Sequence, residues 1–290
     1  MPELPDLAVY VDALDTRVRG QVLRAVRVCN PFVLRTVDPP LDAVAGRMVT
    51  GVRRQAKRIV IELAGELFLV VHLMIAGRLR WLEAGRAAPA RITLALFEFA
   101  SGTLALTEAG TKRRASLHVI RGAAALAALN PGGLEVADAD AKTFAARLRA
   151  ENHTLKRALT DPRIVSGIGN AYSDEILHRA KLSPIAHTAK LDDAAMARLF
   201  AAATGVLAEW TQRLRLEAGG RFPEKVTAFR PAMAVHGRFR QPCPVCGTPV
   251  QRIVYAENEC NYCPRCQTNG VVLADRALSR LLHKSFPREI

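Results

Sequence analysis

Two stretches, "CPVCGT" and "CPRCQT", constrain this chain more than anything else in it. They set Cys243, Cys246, Cys263 and Cys266 in the pattern C-x2-C-x16-C-x2-C. Each pair can wrap its backbone around one edge of a metal ion, and two pairs complete a tetrahedral four-thiolate site. Protein fills all four positions, so the spacing predicts one structural zinc rather than a catalytic one. The residues from about His236 onward therefore read as a small metal-organised module. Cys260 offers a rival C-x2-C with Cys263 but lacks the repeated C-P-x-C form, and reads as a bystander. Cys29, far from the cluster, reads as a small core residue.

The chain of 290 residues suits two modest domains plus such an accessory piece. Half of its residues are hydrophobic, enough for a packed interior. Lys and Arg number 41 against 27 acids, a formal charge of +14. That excess favours a polyanionic partner, with nucleic acid ahead of an anionic membrane surface. No stretch approaches the roughly 20 apolar residues that span a bilayer. Glu3 and Asp6 precede any apolar run, unlike a signal peptide. The expected location is cytoplasmic and nucleoid-associated, where clustered cysteines serve as metal ligands rather than disulfides.

Hydrophobic spacing divides the rest. Leu7, Tyr10, Val11, Leu14 and Val18 recur at helical intervals, with Gly20 as a stop. "RIVIEL", "ELFLVVHL", "RITLALFEF" and "GTLALT" are short strand-like runs between turns, arguing for a sandwich or barrel. "NPGGLE" reads as a boundary. Helices are expected over about 139–151, 153–160, 170–180 and 192–215. The fold class is α+β, with domains at 1–125, 126–235 and 236–290.

Two further stretches carry chemistry. In "SGIGNAYSDEIL", glycines precede a helix start whose free N–H groups could cradle a phosphate. A tight interhelical turn accounts for them equally well. "MPELPD" sets Pro2 and Glu3 at the terminus beside a helix with a buried face, which would pin it in place. These residues either start that helix or make the terminus a reagent.

Together these parts resemble the formamidopyrimidine-DNA glycosylase/endonuclease VIII family over essentially the whole chain. "PELPD", "QAKR", "HLMIAGRLR", "GIGNAYSDEIL" and "VHGRFRQPCPVCGTPV…YCPRCQ" match its elements in order. The resemblance implies a two-layer β-sandwich, a helix–two-turns–helix domain and a zinc-finger β-hairpin, with DNA in the cleft between the domains. It implies a base-excision-repair DNA glycosylase with abasic-site lyase activity, acting as a monomer on oxidised or ring-opened bases in damaged, duplex DNA. Pro2 would be the nucleophile, Glu3 the proton shuttle and Lys57 a phosphate contact that stabilises charge during elimination. Met74 would fill the void left by a flipped nucleotide, although a core methionine is the plain alternative. Asn170 maps to a phosphate contact. Glu175 maps to a carboxylate near the proline, or is a buried structural acid.

Three departures stand out. Where the family carries an arginine at the hairpin turn, this chain has Asn258, which lacks charge and a guanidinium fork. The loop "TEAGTKRRASL" offers Lys112, Arg113 and Arg114 to DNA but no aromatic beside them. Asp6 replaces the commoner Glu. The alternative implied by the loss of the arginine is a damaged-DNA-binding protein of the same fold with weak or altered glycosylase activity.

Overall fold

The computed structural model describes residues 1–224, 226–255 and 258–273. The chain divides into two compact units. One holds Met1–Pro131 with Trp210–Thr227, and the other holds Gly132–Glu209 and the described residues from Ala228 onward.

In the first unit α1 (Leu4–Val18) buries Leu7, Tyr10, Leu14 and Val18 completely, as their spacing requires. The Glu3 N–H donates to Asp6 Oδ2 at 3.0 Å in a capping box that fixes the helix start. Nine strands follow: β1 (Val22–Leu23), β2 (Ala25–Val28), β3 (Arg47–Gln55), β4 (Arg58–Leu63), β5 (Leu67–His72), β6 (Gly77–Leu82), β7 (Thr93–Phe99), β8 (Gly102–Glu108) and β9 (Ser116–Arg121). They form two antiparallel sheets, ordered β1-β3-β4-β5-β9 and β2-β7-β8-β6.

Side-chain alternation explains the layering. Ile59, Ile61 and Leu63 of β4 sit opposite Val71, Leu69 and Leu67 of β5. All face a core shared with Leu79, Phe97, Leu104 and Leu106 of the second sheet and with α1. Val60 and Val70 point the other way, where Leu126 of α2 (Ala123–Ala128) covers them. With both faces buried, β5 reads as an unbroken apolar run rather than an alternating one. Val226, from the returning segment, joins the sandwich core, and Phe222 packs against it.

The second unit is helical, then metal-organised. It contains α3 (Ala141–Arg149), α4 (Leu155–Thr160), α5 (Asn170–Ala180) and most of α6 (Asp193–Ala218). Asp140 and Thr154 cap α3 and α4 by accepting from Thr143 N and Arg157 N, so these helices begin a residue or two later than spacing alone suggests. After them come the hairpin β10 (Gln251–Tyr255) and β11 (Asn258–Tyr262) and a short α7 (Pro264–Thr268). The architecture is α+β: a β-sandwich with a terminal helix, a helical region and a zinc-finger hairpin.

Candidate functional site

The N-terminus is enclosed rather than frayed. Pro2 is buried, and Glu3 and Asp6 are each only 2 % exposed. Burial pulls the Met1 α-amine below its ordinary pKa; Glu3 and Asp6 oppose that shift, while Arg78 and Lys57 reinforce it. Two carboxyls and two cations thus face the terminus. Lys57 is buried in the tight β3–β4 connection, whose Ala56 adopts φ 52°. A non-glycine residue there is strained, a cost of about 1–3 kcal/mol that surrounding structure must offset.

The β5–β6 turn lies in the same unit. Met74 is half-buried with φ 53°, whereas its neighbour Ile75 is 56 % exposed. Gly77 is required after them, since a Cβ would lie 2.2 Å from Leu73 O. Arg78 braces the turn by donating from Nη1 to the carbonyls of Ile75 and Gly77 at 3.1 and 2.7 Å. Burial, then Arg58, then Lys57, push His72 down to about 4, so its ring is neutral near pH 7. His72 Nε2 has no hydrogen-bond partner among the described residues. Sequence reasoning passed over both His72 and Arg78, although both lie inside or beside the quoted "HLMIAGRLR".

Lys112, Arg113 and Arg114 are exposed on the β8–β9 loop. The buried Glu108 shapes that loop by accepting from Arg114 N and Ala115 N at 2.9 and 3.0 Å. Arg113 Nη2 is tied to Arg91 O at 2.8 Å.

In the second unit, one face of α5 carries the zinc module. Asn170, its first residue, donates through Nδ2 to Glu259 O at 2.8 Å. Asp174 Oδ2 accepts from His236 Nδ1 at 2.8 Å and Asn261 N at 3.1 Å, and Oδ1 accepts from Lys156 Nζ at 2.6 Å. Glu175 accepts from the backbone N–H groups of Ala234, Val235 and His236 at 2.7, 2.9 and 3.0 Å. A carboxylate holding three consecutive amides is a scaffold for that segment. Asn258 is exposed at the start of β11, paired with Tyr255. Sequence spacing gave no sign of Lys156, Asp174 or His236.

The Sγ atoms of Cys243, Cys246, Cys263 and Cys266 all lie within 4.8 Å of one another. Cys243–Cys266, Cys246–Cys263 and Cys246–Cys266 measure 3.9, 3.4 and 3.5 Å. A zinc–thiolate tetrahedron with bonds of about 2.3 Å has edges of about 3.8 Å, so the four sulfurs fit one zinc closely. Cys260 stands outside this cluster; it is fully buried and burial pushes its thiol well up, whereas Cys29, expected in the core, is exposed just beyond the end of β2.

Comparison with known proteins agrees with this anatomy. Residues 1–116 match the formamidopyrimidine-DNA glycosylase N-terminal domain, 130–215 its H2TH domain, and 240–269 the zinc finger found in FPG and IleRS. A formamidopyrimidine-DNA glycosylase of Moorella thermoacetica is 34 % identical over 87 % of this chain and 94 % of its own. That of Cereibacter sphaeroides is 32 % identical over 92 % of this chain and all of its own. The Lactococcus lactis enzyme, solved non-covalently bound to DNA containing an AP site, shares the fold with a TM-score of 0.80. It is 23 % identical and covers 92 % of this chain and 99 % of its own. In class, the protein is a base-excision-repair DNA glycosylase and lyase with one structural zinc. It belongs to the formamidopyrimidine-DNA glycosylase family. Among the described residues, no helix is long and apolar enough to cross a membrane.

Proposed function

We propose that the reaction runs through Pro2, which becomes a free secondary amine once Met1 is removed. The observation that carries this reading is the enclosed terminus: Pro2 is buried beside Glu3, and the Met1 amine that precedes it is held below its ordinary pKa by burial, against the pull of Glu3 and Asp6. The amine nitrogen bonds to C1′ of the damaged nucleotide as the C1′–base bond breaks. The departing base takes up a proton while the attached amine gives up its own. Glu3 then delivers a proton to the sugar ring oxygen as the C1′–O4′ bond opens and the nitrogen lone pair forms the C1′=N iminium. The iminium so formed acidifies the C2′–H. Loss of that proton expels the 3′ phosphate, and a further elimination expels the 5′ phosphate. Lys57 stabilises the phosphate charge during these steps, with His72 as a neutral partner beside it.

Oxidised or ring-opened bases in duplex DNA are the substrates, and the chain works as a cytoplasmic, nucleoid-associated monomer. Residues 1–125 supply catalysis, 126–235 DNA binding and 236–290 the zinc finger. Lys112, Arg113 and Arg114 bind DNA from the β8–β9 loop, and Asn170 and Asn258 contact its phosphates. The flipped nucleotide's place is filled from the β5–β6 turn by Met74, with Ile75 as the more exposed apolar side chain beside it.

Borohydride reduction with abasic-site DNA tests the central step, because it converts an iminium into a permanent cross-link. The wild-type chain should cross-link, and Pro2→Gly or a chain with a blocked terminus should not. Full cross-linking by the blocked chain would overturn the assignment.

A further inference from the structure

The face of α5 that holds the zinc module ends on a contact with the metal site itself. Asn170, Asp174 and His178 are spaced four apart and so lie on one side of the helix. His178 Nε2 is 3.3 Å from Cys243 Sγ. Both residues are buried, at 6 % and 2 % exposure, so water does not compete for either atom. A zinc-bound thiolate carries no hydrogen and can only accept; the contact therefore requires the proton on Nε2.

Four thiolates around Zn2+ leave a net charge of about −2, and such a centre in a buried setting needs donors aimed at its sulfurs. Cys243 has one such donor close in sequence, Val245 N at 3.5 Å. We propose that His178 is the second: it donates Nε2–H to the Cys243 thiolate, and through that bond the zinc is fastened to α5. The bond draws electron density from the sulfur, makes it less basic, and so slows the protonation that begins metal loss. It also means that the helix presenting Asn170 at its first residue grips the metal site two turns later. Pro2 chemistry plays no part in this arrangement.

The decisive measurement needs no variant. In the full-length zinc protein, the ring 15N shifts of His178 should show a protonated Nε2 and a bare Nδ1. The opposite tautomer would put a lone pair against the sulfur and overturn the proposal. Two substitutions add a second line. In cobalt-substituted protein, His178→Phe should move the thiolate-to-metal charge-transfer bands to lower energy. The same variant should hold zinc about 10–100-fold more weakly against a competing chelator. His178→Gln, which retains an N–H donor, should restore both properties in part. Weaker zinc binding with unmoved charge-transfer bands would assign His178 to packing alone, and unchanged zinc binding would likewise defeat the idea.

Discussion

Two pairs of buried acids sit in the two units and do different work. Glu3 and Asp6, each 2 % exposed, begin α1 and face a terminal amine in company with Lys57 and Arg78. Asp174 and Glu175, 0 % and 6 % exposed, are bound to Lys156, His236, Asn261 and the amides of 234–236. The second pair saturates its oxygens with fixed donors and becomes a bracket for the zinc module. The first closes the capping box that starts α1 and, in addition, faces the terminal amine. Burial of a carboxylate thus carries no functional meaning until its partners are known.

If the bracket only mounts a module that the metal already folds, losing the metal must cost more than losing either acid. Structural zinc binding is worth about 10–16 kcal/mol in isolated fingers. Cys263→Ser should therefore drop zinc content from one per chain to near zero and remove most DNA affinity. Cys260→Ser should keep both, because its thiol lies outside the cluster. Metal analysis of the two proteins, with binding to one abasic duplex, checks this. Zinc lost from the Cys260 variant would show that the ligand set is wrong.

The next largest effect separates the two pairs by function. Glu3→Gln preserves shape but removes the proposed proton shuttle, so single-turnover base excision should fall by about 10²–10⁴. Affinity for abasic-site DNA and the unfolding midpoint should stay near wild type. Excision at the wild-type rate would place Glu3 with the structural acids.

Asp174→Ala should do the reverse. It leaves Lys156, 9 % exposed, and His236, 3 % exposed, without their shared carboxylate. Removing one partner from a buried ion pair costs about 3–5 kcal/mol. Denaturant unfolding should record that loss, while borohydride trapping by the folded fraction should persist. By contrast, Asp12→Ala breaks a pair with Arg215 whose side chains are 47 % and 54 % exposed, and should cost less than about 1 kcal/mol. Equal losses from the two variants would refute the bracket.

How much of this could be read beforehand differs between the units for a physical reason. The sandwich is held by apolar alternation, and Ile59, Ile61 and Leu63 announce it by their spacing. The four quoted runs are β4, β5, β7 and β8. Not singled out were α2, too short at six residues to show a helical period, and β6, whose strand is hidden inside a motif. Nor were β1, β2, β3 and β9, which are very short or have polar residues interrupting the apolar pattern. The zinc ligands were legible because tetrahedral geometry dictates their intervals. The bracket was not, since Asp174 meets Asn261 and His236 through contacts far apart in sequence. Glu175 left two readings open, and only its three amide partners show the scaffold role. Reactivity at the terminus was suggested by motif, but the charged groups around the terminal amine, Glu3, Arg78, Asp6 and Lys57, converge only through the fold.

The smallest effect tests the proposal that the bracketed hairpin meets DNA at Asn258. Asn258 is exposed beside Glu259, whose carbonyl accepts from Asn170, so the two amides occupy neighbouring positions in one unit. Neither brings a charge, although the chain as a whole carries +14. A phosphate contact made by a cation releases a counterion and steepens the log–log salt dependence of binding by about 0.9. An amide contact contributes no such increment. Asn258→Arg should therefore tighten binding to an abasic duplex at low salt and steepen the slope by up to about one unit. Asn258→Ala should leave the slope unchanged and weaken binding only slightly. A salt titration of wild type and both variants on the same duplex reads all three slopes. If the Arg variant keeps the wild-type slope, the start of β11 does not reach a phosphate. The bracket would then serve the stability of the zinc module and not its placement on DNA.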